Sequence, residues 1–399
     1  MWEQIAANKR KSVLLVFATA MLLVALGWFG GEYFMGRGAG LYGVMLALVV
    51  WGVMTLTAWF KGDNVMLSIA GAKRVEKSDL PILHNVVEEM SLAAGLARVP
   101  AIYVIDDPAP NAFATGRREE NASVAVTSGL LHRLSRDELQ GVIAHELAHI
   151  RNRDIQLMLF AGVLAGAIVL LSEIGLRSMW FGGGRSRSRR DDGGGGAQAI
   201  IMVVAIVLMI LAPIISRLIY FAISRKREYL ADASAASFTR YPEGLASALE
   251  KISTAPQKLN GATSATAPMY IINPLKRQGK MAANGTSTHP PIDERIRILR
   301  SMAGGSFAAY DESFRKVTNQ KKGVIPGSAL QGDDGSAAIQ RTHFESASQR
   351  EQARQVDAFF YKEKGYNRIE CDCGTVLKIP PKFGSSEARC PKCSTVHKV

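Results

Sequence analysis

His145, Glu146, Leu147, Ala148 and His149 spell H-E-x-x-H, the stretch of this chain where residue type and spacing together specify a reaction. On a helix, positions four apart lie one above the other, so both imidazoles reach one metal ion while Glu146 stands beside it. Zinc suits such a site, because two neutral imidazoles and a carboxylate leave a fourth position for a water, whose pKa falls toward neutrality. Glu146 is then placed to take that water's proton as it attacks a peptide carbonyl. Chance competes poorly: with 7 His and 35 acidic residues in 399, the expected count of the pattern is on the order of 0.01.

A third ligand must come from elsewhere. The segment beginning at Arg225 reads as helical and offers Glu228 and Asp232, again four apart on one face. Glu228 can bind zinc directly while Asp232 accepts the second N–H of a ligand histidine and fixes its tautomer. The competing reading of the pair is a solvated acidic face partnered by Arg225 or Arg227.

A second cluster lies near the carboxyl end. Cys371-x-Cys373 and Cys390-x-x-Cys393, with 16 residues between them, hold all 4 cysteines of the chain. The spacing is close to a four-cysteine zinc ribbon, with one residue instead of two inside the first pair. Residues 366–399 carry few large apolar side chains, so a unit of that size needs a staple, which structural zinc supplies. A redox dithiol is the competing reading. The absence of cysteine before Cys371 removes any disulfide option there and suits a reducing compartment.

The elements that position these residues follow from hydropathy and punctuation. The chain is 48% hydrophobic yet 21% charged, too apolar for an ordinary soluble protein and too charged for membrane helices alone. Its net charge of +13 sits largely beside apolar runs, as in Lys9, Arg10 and Lys11 or Arg225, Lys226 and Arg227. That placement fits membrane orientation better than a nucleic-acid footprint, so the expected surroundings are a bilayer rather than nucleic acid. Ser12 to Gly31 and Gly38 to Phe60 carry no charge and match the ~20 residues that cross a bilayer. Ile155 to Ser172 and Ala197 to Ser216 form a second pair, joined by the glycine- and arginine-rich loop 182–196. Lysines and arginines flanking the first pair place the amino terminus and the domain after Phe60 in the cytoplasm.

Between the pairs, Lys77 to Gly95 reads as a helix with Leu80, Leu83, Val86, Val87 and Met90 on one stripe, and Ala101 to Ile105 as a strand. AFAT and SVAVT read as a hairpin, and Ser135 with Glu138 as a capping box that starts the H-E-x-x-H helix. The expected fold is α+β and mainly helical, an integral membrane zincin-like metallopeptidase with a small β-sheet, two membrane hairpins and a zinc-ribbon-like module. The expected divisions are a transmembrane hairpin at 1–62, the first part of the peptidase domain at 63–154 and the second hairpin at 155–224. The second part of the peptidase domain follows at 225–302, then a linker with a short helix at 303–365 and the ribbon at 366–399.

HELAHIRNRDI (145–155) with REYLADASAA (227–236), together with NAFATG (111–116) and THPPIDERI (288–296), resembles the HtpX-type membrane metallopeptidases, relatives of the CAAX prenyl proteases. The resemblance covers about residues 5–303 and leaves the cysteine tail outside. It implies an ATP-independent zinc endopeptidase of the inner membrane, facing the cytoplasm, that degrades misfolded or membrane proteins in quality control. It also implies Glu228 as third ligand and Asp232 behind a ligand. Asn111, Ala112, Phe113 and Ala114 would form an exposed edge strand beside which substrate adds as a further strand. His289 would help stabilise the oxyanion, and Arg295 is a candidate partner for an acidic residue near the metal. The competing function is a catalytically silent membrane scaffold that binds protein or nucleic acid through the ribbon. Glu146 argues against it, since only water activation needs a base there.

Overall fold

A computed structural model describes residues 2–34, 36, 38–160, 168, 206–207, 210, 225–260, 262, 267–272, 274, 289–331, 338–339 and 346–399. Most of the second hydrophobic pair, its loop, and Thr288 lie outside the described residues.

Helices α1 (Trp2–Phe34) and α2 (Gly40–Ile69) form the first hairpin. Both are long and apolar enough to cross a membrane. Small residues let them touch: a Cβ added at Gly43 would stand 2.0 Å from the Gly27 carbonyl oxygen, so the two backbones meet there and no larger residue fits. Buried Glu32 ends α1 and accepts the Gly38 and Gly40 N–H groups at 3.1 and 2.9 Å, satisfying donors at the start of α2. Leu14, Phe17, Met21, Leu41, Val49 and Phe60 face outward, an apolar surface suited to lipid.

The body of the protein beyond the hairpin is a four-stranded sheet packed against helices. Strands β1 (Ala72–Arg74), β2 (Ala101–Ile105), β3 (Ala112–Thr115) and β4 (Ser123–Thr127) lie in the order β1-β2-β4-β3. The β2–β4 pair is parallel and the others are antiparallel. Helix α3 (Pro81–Ala93) starts later than its hydrophobic period suggests, because Pro81 occupies its first turn. Its stripe of Leu80, Leu83, Val86, Val87 and Met90 is buried as expected, each side chain contributing about 1.5–3 kcal/mol of burial. The same core takes in α4 (Ser128–Arg133), α5 (Arg136–Arg151), α6 (Lys226–Thr239), α7 (Pro242–Ser253) and α8 (Ile292–Arg300).

Within 303–365 the expected short helix is present, but the described helices are packed into the core rather than forming the linker that their composition suggests. Helix α9 (Phe307–Thr318) buries Tyr310 and Phe314, one helical turn apart, in the main core. Asp311 on the same helix accepts the Val324 and Ile325 N–H groups at 2.8 and 3.0 Å, folding the chain back toward the short α10 (Gly327–Leu330). Helix α11 (Ser346–Glu363) is strapped to the body: Val356, Phe359 and Phe360 enter the core. Its Gln352 Nε2 donates to the carbonyls of Leu131 and Leu134 at 2.6 and 3.3 Å, which α4 leaves open at its end.

The tail consists of two short hairpins, β5 (Asn367–Glu370) with β6 (Val376–Ile379) and β7 (Glu387–Arg389) with β8 (Val396–Lys398). Each turn carries one cysteine pair and one left-handed residue, Gly374 (φ 80) and Ser394 (φ 66). The fold is thus α+β and mainly helical, with small sheets, two candidate membrane helices and a four-cysteine cluster compatible with a ribbon.

Candidate active site

Helix α5 begins where its capping residues dictate, with both halves of the Ser135/Glu138 capping box formed. Glu138 also accepts Lys251 Nζ at 2.7 Å, tying α7 to the first turn of α5. Gly141 allows close approach, since a Cβ there would lie 2.7 Å from the Leu245 nitrogen. The helix ends at Arg151 with Asn152 as its cap, Arg153 turns left-handed (φ 56), and helix resumes at Asp154. That two-residue turn swings Asp154 back under His149, which an uninterrupted helix would not do at a spacing of five.

Three ligand-type groups converge. His145 Nε2 and His149 Nε2 are 3.2 Å apart, and Glu228, in the first turn of α6, reaches them at 3.7 Å each through Oε2 and Oε1. Donors around a tetrahedral zinc at about 2.0–2.2 Å stand about 3.3–3.6 Å apart, so this spacing fits the ion. Behind the ligands, Asp232 Oδ1 lies 3.0 Å from His145 Nδ1, and Asp154 Oδ2 lies 3.0 Å from His149 Nδ1. Both contacts leave Nε2 as the metal-facing nitrogen.

Electrostatics also fits a cation. Glu146, Asp154, Glu228 and Asp232 are all buried, while Arg295 brings one positive charge. Glu146 Oε1 and Glu228 Oε2 have no hydrogen-bond partner among the described residues. Burial opposes charge on His145, yet the carboxylates of Asp232 and Glu228 outweigh it and push its pKa up to about 9. Burial alone would raise Glu228, but the imidazoles of His289, His145 and His149 hold it well below the usual carboxylate range. Glu146 is raised, chiefly by burial, and accepts the Ala114 backbone N–H from β3. A divalent ion would replace the proton that His145 otherwise takes up.

Arg295 on α8 is fully buried and grips Asp232 with two bonds, Nε to Oδ2 at 2.8 Å and Nη2 to Oδ1 at 2.7 Å. His289 Nε2 stands 3.7 Å from Glu228 Oε2, and burial lowers its pKa to about 4, leaving a neutral ring. Strand β3 lies at the sheet edge, but Asn111, Ala112, Phe113 and Ala114 are buried, not exposed. Residues 270–272 cover part of it: Ile271 N donates to Ala112 O at 2.9 Å, Phe113 pairs with Tyr270, and Asn111 Nδ2 donates to Ile272 O at 2.9 Å. The four cysteines gather apart from this site, with Sγ separations of 3.3 Å for Cys371 and Cys393 and 3.6 Å for Cys373 and Cys390. Four thiolates at about 2.3 Å from zinc stand about 3.8 Å apart, so these too fit an ion.

The sequence reading missed Asp154. Its signal was present, as a carboxylate shortly after the second histidine, but needed the turn at Arg153 to become meaningful.

Residues 78–303 match the model of peptidase family M48. The protease HtpX homolog of Dictyoglomus thermophilum is 46% identical over 301 residues, 75% of this chain and 94% of that protein. That of Thermoanaerobacter pseudethanolicus is 45% identical over 302 residues, 76% and 98%. Among solved structures, S. mikatae Ste24p aligns with a TM-score of 0.39 and 21% identity, over 75% of this chain and 67% of that one. At such identity over nearly the full length of its relatives, the chain belongs to peptidase family M48, as an HtpX-like membrane zinc metalloprotease.

Proposed function

We propose that the enzyme is an endopeptidase for misfolded or membrane polypeptides, with His145, His149 and Glu228 holding the catalytic zinc and Glu146 as general base. The observation that carries this is the convergence of the three ligand atoms within 4.8 Å of one another, with Glu146 on the same helix face and one oxygen unpartnered. Bound there, zinc supplies the Lewis acidity that brings a water's pKa down to about 7. Asp232 and Asp154 keep the ligand tautomers, so the ring nitrogens facing the ion stay unprotonated. Glu146, with its pKa raised by burial, takes the water's proton and passes it to the leaving amine. Neutral His289 donates to the developing oxyanion. An extended substrate adds along the Ala114 end of β3, beyond the point where Ile271 pairs, which brings its backbone past Glu146.

The first hairpin, a second hairpin at 155–224 and a peptidase domain split between 63–154 and 225–302 make the protein multi-pass in the inner membrane with a cytoplasmic site. Cys371, Cys373, Cys390 and Cys393 bind a second, structural zinc in a module at 366–399 whose partner is unassigned. Support comes from the cysteine spacing and from the positive charges flanking α1 and α2.

Purified Glu146→Gln should retain zinc yet lose casein cleavage by at least about 10²–10⁴-fold. His145→Ala, His149→Ala and Glu228→Ala should lose cleavage together with the catalytic ion, and an active Glu146→Gln enzyme refutes the mechanism. Reporters fused after residues 65 and 240 should both read cytoplasmic.

A further inference from the structure

We propose that Asn8, on the first membrane helix, is a positioning residue for the metal site: it holds Asp154, and Asp154 holds His149. The inference rests on His149 being a zinc ligand. Asn8 is only 2% exposed and sits in the second turn of α1, which passes under the end of α5. Its Nδ2 donates to Asp154 Oδ1 at 2.5 Å and to the Asn152 carbonyl at 3.1 Å, across 146 and 144 residues of sequence. The other oxygen of Asp154 meets His149 Nδ1 at 3.0 Å. One carboxylate thus joins a membrane helix to an imidazole whose Nε2 faces His145 and Glu228.

The two histidines are backed in parallel ways. Asp232, behind His145, is anchored by the guanidinium of Arg295, whereas Asp154, behind His149, is anchored by a neutral amide. Without Asn8 the Oδ1 atom of Asp154 loses the donor that fixes the carboxylate plane, and the carboxylate can rotate away from His149. Packing holds α1 in register for this contact. Leu15 and Ala58 of the hairpin cluster with Leu157 and Phe160, just beyond Asp154, and Trp51 Nε1 donates to the Val16 carbonyl at 3.2 Å. The seating of the membrane hairpin is therefore read directly by a ligand of the catalytic ion.

The test is zinc release from the full-length protein in detergent, followed with a chromogenic chelator. The release phase that disappears in His149→Ala belongs to the catalytic site. Asn8→Ala should speed that phase about threefold to tenfold, as expected for loss of one hydrogen bond. Asn8→Gln, whose longer side chain overshoots Asp154, should do the same if the alanine variant fails to accumulate. Asp154→Asn should speed it about 10–100-fold, and adding Asn8→Ala to it should change nothing further, because the link is already cut. A wild-type release rate in both Asn8 variants, or effects of Asn8→Ala and Asp154→Asn that multiply, overturns the proposal. A release profile untouched by His149→Ala removes the metal-site reading itself, and this inference with it.

Discussion

Replacing Arg295 by methionine tests whether the fold and the metal site share one buried ion pair. Arg295 is 0% exposed, makes two bonds of 2.8 and 2.7 Å to Asp232 and donates to the Ile271 carbonyl at 3.2 Å. Methionine roughly fills the space but leaves the Asp232 carboxylate buried, with His145 as its remaining partner. Removing one member of such a pair costs about 3–5 kcal/mol, because the other charge stays desolvated. For a domain of this size, about 2–4 °C per kcal/mol converts this to a fall in midpoint of about 6–20 °C. Circular dichroism of the metal-stripped protein in micelles reads the change. The double variant Arg295→Met, Asp232→Leu removes both charges and should recover at least half of the loss, while its zinc affinity stays low because His145 has no carboxylate behind it. A single variant within about 1 kcal/mol of wild type, or a double variant worse than the two singles combined, refutes the reasoning.

Three further outcomes follow from other parts of the structure. Because His145 has its pKa raised to about 9 from 6.5, its partnership stabilises the metal-free protein fully below pH 6.5 and is lost as pH rises through about 9. Thermal midpoints of stripped enzyme should fall across that window, and those of zinc-loaded enzyme should fall less, since the ion replaces the proton. Cys390→Ser with Cys393→Ser should remove one zinc per chain and unfold the tail by hydrogen exchange, with cleavage of a short peptide nearly unchanged; full zinc content contradicts the ribbon. Gly43→Leu should separate α1 from α2, because even a Cβ would overlap the Gly27 carbonyl, and lower the thermal midpoint by about 4 °C or more; an unchanged midpoint contradicts the close packing.

The parts of the site legible in the sequence were those with local spacing. His145 and His149 on one helix, and Glu228 and Asp232 on another, are each four apart, so a periodic rule suffices to align them. Strands β2, β3 and β4 and the capping box of α5 were legible for the same reason. What stayed hidden depends on contacts between distant segments or on irregular backbone. Asp154 needs the left-handed turn of Arg153, Asn8 needs α1 to pass beneath it, and the cover over β3 comes from residues 270–272, which have no periodic pattern. Within 303–365 the short helix was legible, but composition hid the helix at Phe307–Thr318 and the packing of both: Tyr310, Phe314, Val356, Phe359 and Phe360 are few amid Gly, Ser and Gln, yet their helical spacing buries them in the common core.

The carboxylates of the site divide by how completely their oxygens are satisfied, and the division matches the work each can do. Asp232 is held by Arg295 and faces His145; Asp154 is held by Asn8 and faces His149. Each has fixed partners on two sides, so neither can turn or take up a proton without losing a bond, which suits a group that orients a ligand. Glu228 and Glu146 each keep one buried oxygen without a partner among the described residues. A buried unsatisfied carboxylate oxygen is costly, about 1–3 kcal/mol or more, so such an oxygen persists where an ion or a proton is to be received. Glu228, whose two oxygens stand 3.7 Å from the Nε2 atoms of His145 and His149, is placed to receive positive charge. Glu146, whose burial raises its pKa and whose only identified donor is the Ala114 N–H of the edge strand, is left as the carboxylate free to gain and release a proton beside an incoming peptide.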